Sequence, residues 1–447
     1  MGRSFFLCLA LVAVVGCGDD SGAEAPPAVV RTDLPYELYC DIARSDCQGT
    51  IYDSVAAMLG AEDVPRPFIR TISVEEHEQE VRRSLNLEDL TGEDAASRGL
   101  RLLGFIPEQS DSLAAAQAEY FITQIAAYYS RNSRSITVID RDYDEINAQT
   151  LLAHELVHAI QDNQFGLNAV TASADTEDGV IAVRSVIEGD AMHSSFAWAY
   201  DKLGYPPDEI DWEEMHQERT RAEREVAADT GIALIDSASG FPYSYGFRFM
   251  TSATLSGGLA GRAAAFESPP AASLEVMAGY DAAAPALDFP AAAHPAPVGG
   301  YALDVENRFG AWYVYGFLRR RGLSDEVAWP VALGWRGDVL AIYENGADVV
   351  AVWRVQLDHP LSALLLENEV NGDVSPGAWS AIAVEDEVFV LAAESGESLL
   401  AWAEQPLDTM TASILPKSAR RWGGPVSPGN CLQSKTFSLQ WPATFLQ

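Results

Sequence analysis

Residues 151–165 read LLAHELVHAIQDNQF. His154 and His158 stand four apart, and on an α-helix residues at that spacing lie one above the other on one face. Their imidazoles can therefore point at one place, and neutral imidazole is a good ligand for Zn²⁺. Glu155 sits about 100° further round the helix. From there it does not ligate the metal but can reach a water beside it. Zinc brings the pKa of such a water towards about 7, and a carboxylate can take its proton as the water attacks a carbonyl. The plainer alternative is two satisfied histidines on a half-buried helix. The chain has only 7 histidines, two of which fall here, flanked by Leu151, Leu152, Leu156 and Ile160.

A catalytic zinc takes a third protein ligand and keeps one position open. The best candidate is Glu188, in the segment SVIEGDA, 188 − 158 = 30 residues beyond the second histidine. Small Ser185 and Ala191 flank it at helical spacing, so two helices could approach closely there. Val186 and Ile187 are apolar, and Gly189 is an unfavourable residue for an exposed helix. His193 and Asp190 are the competing ligands. Histidines on a metal usually donate their second N–H to a carboxylate or carbonyl, for which Asp162 and Asp190 are the candidates.

The elements that must position these groups can be read from periodicity. From about residue 34 to 126 the pattern is mostly helical, clearest in SVEEHEQEVRRSLNL and SDSLAAAQAEYFITQIAAYYS. The β-branched run RSITVID, 134–140, reads as a strand, followed by the motif helix to about Asn163. Residues 180–204 make a second long helix that stops at Gly204. The stretch DEIDWEEMHQERTRAEREVAAD reads as a helix with a solvated charged face. Another helix enters near Tyr243 and ends at Gly257-Gly258. The Ala- and Pro-rich residues 261–300 read as a connector outside the core. A helix follows in NRFGAWYVYGFLRRRG, then a hairpin about Asn345-Gly346 and a second in SAIAVEDEVFVLAAES. Asp338 reads as a turn or cap residue, and Trp335, Trp353 and Trp379 as packing between hairpins. The fold class expected is α+β, mainly helical, with a C-terminal hairpin-rich region.

With 29 basic and 65 acidic residues the formal net charge is −36, a field that repels nucleic acid and anionic headgroups. Met1 to Asp20 carry Arg3, a short apolar run and Gly16-Cys17. This is similar to a bacterial lipoprotein signal, which implies removal of residues 1–16 and lipidation of Cys17. Residues 17–33 read as a flexible tether. In an oxidising compartment Cys40 and Cys47, which enclose a short loop, are the expected disulfide; Cys431 could instead join either of them.

HELVH followed by EGDA resembles the gluzincin group of zinc metallopeptidases, to which thermolysin belongs. The chain is more similar still to a largely uncharacterised set of bacterial and archaeal secreted or lipid-anchored proteins assigned as peptidases. Their pattern combines HELxHAxQD, EGDA, PYxxG, PPxS and GWxGD. Here these stand as HELVHAIQD at 154–162, EGDA at 188–191, PYSYG at 242–246, PPAAS at 269–273 and GWRGD at 334–338. The resemblance implies one zinc ion held by His154, His158 and Glu188, Glu155 as general base, and a zincin-like catalytic region over 34–260, with 301–447 as a C-terminal α+β region. It also implies an edge strand beside the motif helix that pairs with extended substrate, for which 134–140 is placed. Such enzymes often use a later Tyr or His on the developing oxyanion; Tyr243 and Tyr245 are the candidates, with His216 behind them. The third ligand lies further from the histidines than in thermolysin-like enzymes, and an Asp follows it by two residues instead of four. The function expected is a zinc metallopeptidase of the extracytoplasmic space, lipid-anchored to a bacterial membrane, acting on a peptide or protein. A non-peptide amide is an alternative substrate, and a catalytically inactive zincin-fold lipoprotein serving as scaffold or binding module is the alternative from another class.

Overall fold

Thr176 caps the helix that carries Glu188. Its side chain accepts from the Gly179 N–H, and Glu177 and Asp178 occupy the first turn, where negative charge suits the helix dipole. That helix, Glu177–Lys202, packs against the motif helix, Glu145–Phe165. The computed structural model describes residues 34–85, 94–106, 113–230 apart from 142 and 144, 233–280 with 282, 294–372 apart from 347, 378–404, and the backbone of 435–436. Cys17 and Cys431 lie outside the described residues. The architecture is mixed α+β, as expected: helices surround two sheets.

The smaller sheet has strands β1 (Phe68–Ile72), β2 (Ala127–Ser130) and β3 (Ser135–Ile139), in the order β1-β3-β2. The larger has β4 (Ala302–Asn307), β5 (Trp335–Glu344), β6 (Val349–Leu357), β7 (Ala378–Val384), β8 (Glu387–Ala393) and the two-residue β9 (Lys435–Thr436), in the order β7-β8-β6-β5-β4-β9. Both C-terminal hairpins form as read, β5 with β6 and β7 with β8.

Three expectations fail. The strand at 135–139 is central, because residues 68–72, far away in sequence, pair with it in parallel. The strand at the edge beside the motif helix is β2, in residues that the helical pattern had claimed; pairing with β3 overrides that pattern. The connector read at 261–300 begins inside a helix, Phe247–Glu267, which breaks at Gly258 (φ 59°, ψ −145°) and then resumes. Further on, Ser273–Ala278 forms a helix with Leu274, Val276 and Met277 buried in the main core, because Pro and Ala spacing around it hid its apolar face.

Two large apolar clusters meet at the Glu188 helix, and Met192 and Phe196 place the same helix in a third, smaller one. Ile181, Ala182 and Val186 belong to the larger, with the Gly310–Arg320 helix and one face of the larger sheet. Ala191, Trp198 and Ala199 belong to the other, with the motif helix, β2, β3 and the helix Ser45–Met58. The disulfide Cys40–Cys47 forms as expected at the start of that last helix. Buried side-chain hydrogen bonds fix the N-terminus of the Glu188 helix. Asp178 Oδ1 accepts from the Ser273 N–H at 2.9 Å, and the Glu177 N–H donates to Asn307 Oδ1 at 2.9 Å. Asp338 caps the Gly310–Arg320 helix from inside: it accepts from the N–H groups of Phe309 and Gly310 and from the indoles of Trp335 and Trp353.

The small face around Glu188 serves an approach other than the one expected. A Cβ at Gly189 would overlap the Gly246 carbonyl, and one at Gly246 would overlap the Ser185 carbonyl. Thus Ser185 and Gly189 meet the π-helical turn Pro242–Gly246, while Ala191 faces the motif helix. Gly189→Ala is expected to lower unfolding free energy by about 1–3 kcal/mol, the usual cost of overpacking, as read by urea denaturation.

On the charged helix Trp212–Ala228 one acid departs from the solvated reading: Glu223 is buried under Gly240. Burial pushes its carboxyl up to about 8. The folded state therefore binds a proton that the unfolded chain releases near the ordinary value of 4.5. Stability should fall as pH rises from there through about 8, and Glu223→Gln should flatten that slope in thermal melts taken across the range.

Candidate metal centre

His154, His158 and Glu188 come together as one buried group. His158 Nε2 is 3.1 Å from His154 Nε2, and Glu188 Oε2 is 3.3 Å from each. Ligands about 2.0–2.1 Å from a tetrahedral cation stand about 3.3 Å from one another. The three atoms are therefore spaced as neighbours around a single ion of that bond length. The imidazole planes are 87° apart, so two ring edges face the same point from different directions. The other carboxylate oxygen, Glu188 Oε1, is 3.9 Å from Arg184 Nη2, one helical turn earlier. One carboxylate thus faces the imidazoles with one oxygen and Arg184 with the other.

The electrostatics favour added positive charge. Burial opposes a charged His158, but the Glu188 carboxylate outweighs it by charge and by hydrogen bond and lifts the imidazole to about 9. Burial likewise opposes a charged Glu188, yet the charge of His158 and hydrogen bonds from both imidazoles hold it well below the usual carboxylate range. A divalent cation satisfies the same demand with both imidazoles neutral.

Glu155 faces the group without joining it. Burial pushes its carboxyl up, while His158, His154 and a hydrogen bond from the Tyr129 backbone N–H pull it back only in part. Tyr129 lies on β2, so the edge strand and Glu155 are in direct contact. Tyr243 stands beside His154, its ring stacked on the imidazole at 6.0 Å and 24°. Burial, with the Glu188 carboxylate nearby, keeps its hydroxyl protonated well above the ordinary range.

The remaining expected residues separate. Tyr245 turns into the aromatic core: its ring stacks on Phe241 and its hydroxyl accepts from Arg224 Nε at 2.7 Å. Residues two apart on a helical turn face different sides, so Tyr243 and Tyr245 diverge. His193 and His216 both meet Thr251 Oγ1, at 3.1 and 3.2 Å, and stand apart from the trio. Burial pushes them down to about 4 and about 3. Asp162 accepts from the Tyr129 hydroxyl at 3.0 Å and the Leu167 N–H at 3.1 Å, so it ties the motif helix to β2 and the next turn and touches neither histidine. Asp190 reaches the site only through Gln161.

Gln161 is the residue that the sequence reading passed over. Its Oε1 lies 2.8 Å from His158 Nδ1. The signal was present, since Gln161 follows His158 by three, a spacing that puts both on one helix face. Arg184, four before Glu188, was legible by the same rule. No family model, curated protein or solved structure matches this chain.

Proposed function

We propose that this protein is a zinc-dependent peptidase, lipid-anchored through Cys17 in the extracytoplasmic space of a bacterium. The observation that carries the reading is the convergence of His154 Nε2, His158 Nε2 and Glu188 Oε2 at 3.1–3.3 Å, with the Glu155 carboxyl beside them and outside the ligand set. Two imidazoles and one carboxylate suit zinc better than the all-oxygen sets preferred by calcium or magnesium. A zinc ion in this site supplies Lewis acidity towards a water and a substrate carbonyl.

The chain's own residues supply the rest. Glu155 accepts the proton that the attacking water gives up and passes it to the departing amine. Its raised affinity for a proton suits a group that must both take and return one. The Tyr243 hydroxyl, held protonated, donates to the oxygen on which negative charge develops. β2 ends the strand order of its sheet and adjoins Glu155 through Tyr129, and it is the strand along which an extended peptide would align its scissile bond. Arg184 draws on Glu188 Oε1 from 3.9 Å, and Oε2 is the oxygen that faces the imidazoles and would hold the cation.

The test compares zinc content and turnover of a mixed peptide library for full-length wild type and Glu155→Gln. The variant should keep about one zinc per chain and lose at least about 10²-fold in turnover, the usual contribution of a general base. Loss of zinc in the variant would assign Glu155 to the ligand set and contradict the roles above. Zinc binding without turnover in wild type would favour the scaffold reading. Tyr243→Phe should lower kcat by about 10²-fold or more with KM little changed, measured on the best library substrate.

A further inference from the structure

The amide of Gln161 has only one possible orientation. Its nitrogen lies 2.9 Å from the Ile187 carbonyl oxygen and 2.7 Å from Asp190 Oδ2. Ile187 O can only accept. Asp190 is ion-paired with Arg262, whose Nε reaches Oδ1 at 2.8 Å and Oδ2 at 3.0 Å, so it too stands as an acceptor. Both hydrogens of the amide are therefore committed, and the flipped amide would set oxygen against two oxygens. The oxygen, Oε1, must be the atom that faces His158 Nδ1 at 2.8 Å. An atom that only accepts requires the proton on Nδ1. A neutral imidazole has one N–H, so its Nε2 keeps the lone pair that points at His154 and Glu188.

We infer that Gln161 is a positioning residue that fixes His158 in the Nδ1–H form, and that Arg262 acts on the same ring through Asp190. The inference rests on the metal reading of the trio and names residues that reading does not need. Gln161 and Asp190 are fully buried and Arg262 is nearly so, which removes water as a substitute partner. Arg262 Nη1 also donates to Gln164 Oε1 at 2.7 Å, so the relay returns to the motif helix one turn beyond Gln161. It arrives from the part of the Phe247–Glu267 helix that lies after the break at Gly258. His154 has no such support: its Nδ1 is buried with no hydrogen-bond partner among the described residues. The two imidazoles are thus unequal, and the prepared one is His158.

The test uses the full chain with zinc alone as probe, and affinity is read by competition with a chelator. Gln161→Met keeps the length of the side chain and removes the acceptor; it should weaken zinc binding about 10–100-fold, the usual cost of losing such support. Gln161→Glu should restore most of the affinity, because its protonated form can still donate to Asp190 and accept from Nδ1. The spectroscopic readout is the ¹⁵N signature of His158 in the zinc-loaded wild type, expected as a protonated Nδ1 and a metal-bound Nε2. A protonated Nε2 with metal on Nδ1 would overturn the inference even if Gln161→Met failed to fold. So would a folded Gln161→Met protein with wild-type affinity. A wild type that takes up no zinc would instead sink the metal reading, and this inference with it.

Discussion

A carboxylate oxygen 3.3 Å from two imidazole nitrogens that are themselves 3.1 Å apart is a costly arrangement for a buried site. Desolvation works against every charge in it, and the attraction between Glu188 and the imidazoles acts only because the backbone brings the three groups together. Two long helices that share an apolar cluster do so here. The motif helix sits in the cluster with β2, β3 and the disulfide-linked Ser45–Met58 segment, and the Glu188 helix spans both clusters. The site lies where the two cores share that helix. Its rigidity therefore depends on pieces far from the chemistry: Asp178 on Ser273, Glu177 on Asn307, and the Gly189–Gly246 approach.

The C-terminal half contributes no group to the trio, yet it positions one. Asp338 gathers two backbone N–H groups and two indoles and so starts the Gly310–Arg320 helix, which packs beside the Glu188 helix and its Ser273 anchor. A conformational error in the larger sheet would reach the trio by that route.

Much of the site was legible because helical spacing is a short-range rule. His154, His158 and Glu155 follow from one turn of helix, and the apolar neighbours of Glu188 marked it as inward. The pairing of Cys40 with Cys47 was legible from a separation of 7. What spacing could not supply was long-range register. Nothing near residue 135 shows that Phe68–Ile72 will occupy one edge of β3 and leave β2 as the strand against Glu155. The same limit hid Arg262, whose link to Asp190 spans a separation of 72. Tyr243 and Tyr245 looked equivalent in PYSYG because residues two apart face different sides of a helix and nothing local tells which side meets His154. Gln161 was within reach of the helical rule and was missed because a neutral amide carries no signature of its own until its neighbours are known.

The most direct measurement is zinc K-edge X-ray absorption on the full-length protein loaded with one equivalent of zinc. The account predicts four light-atom ligands at about 2.0–2.1 Å, with the outer scattering of two imidazoles, one of which disappears in His154→Ala. A shell without imidazole scattering, or one unchanged by that substitution, would contradict it.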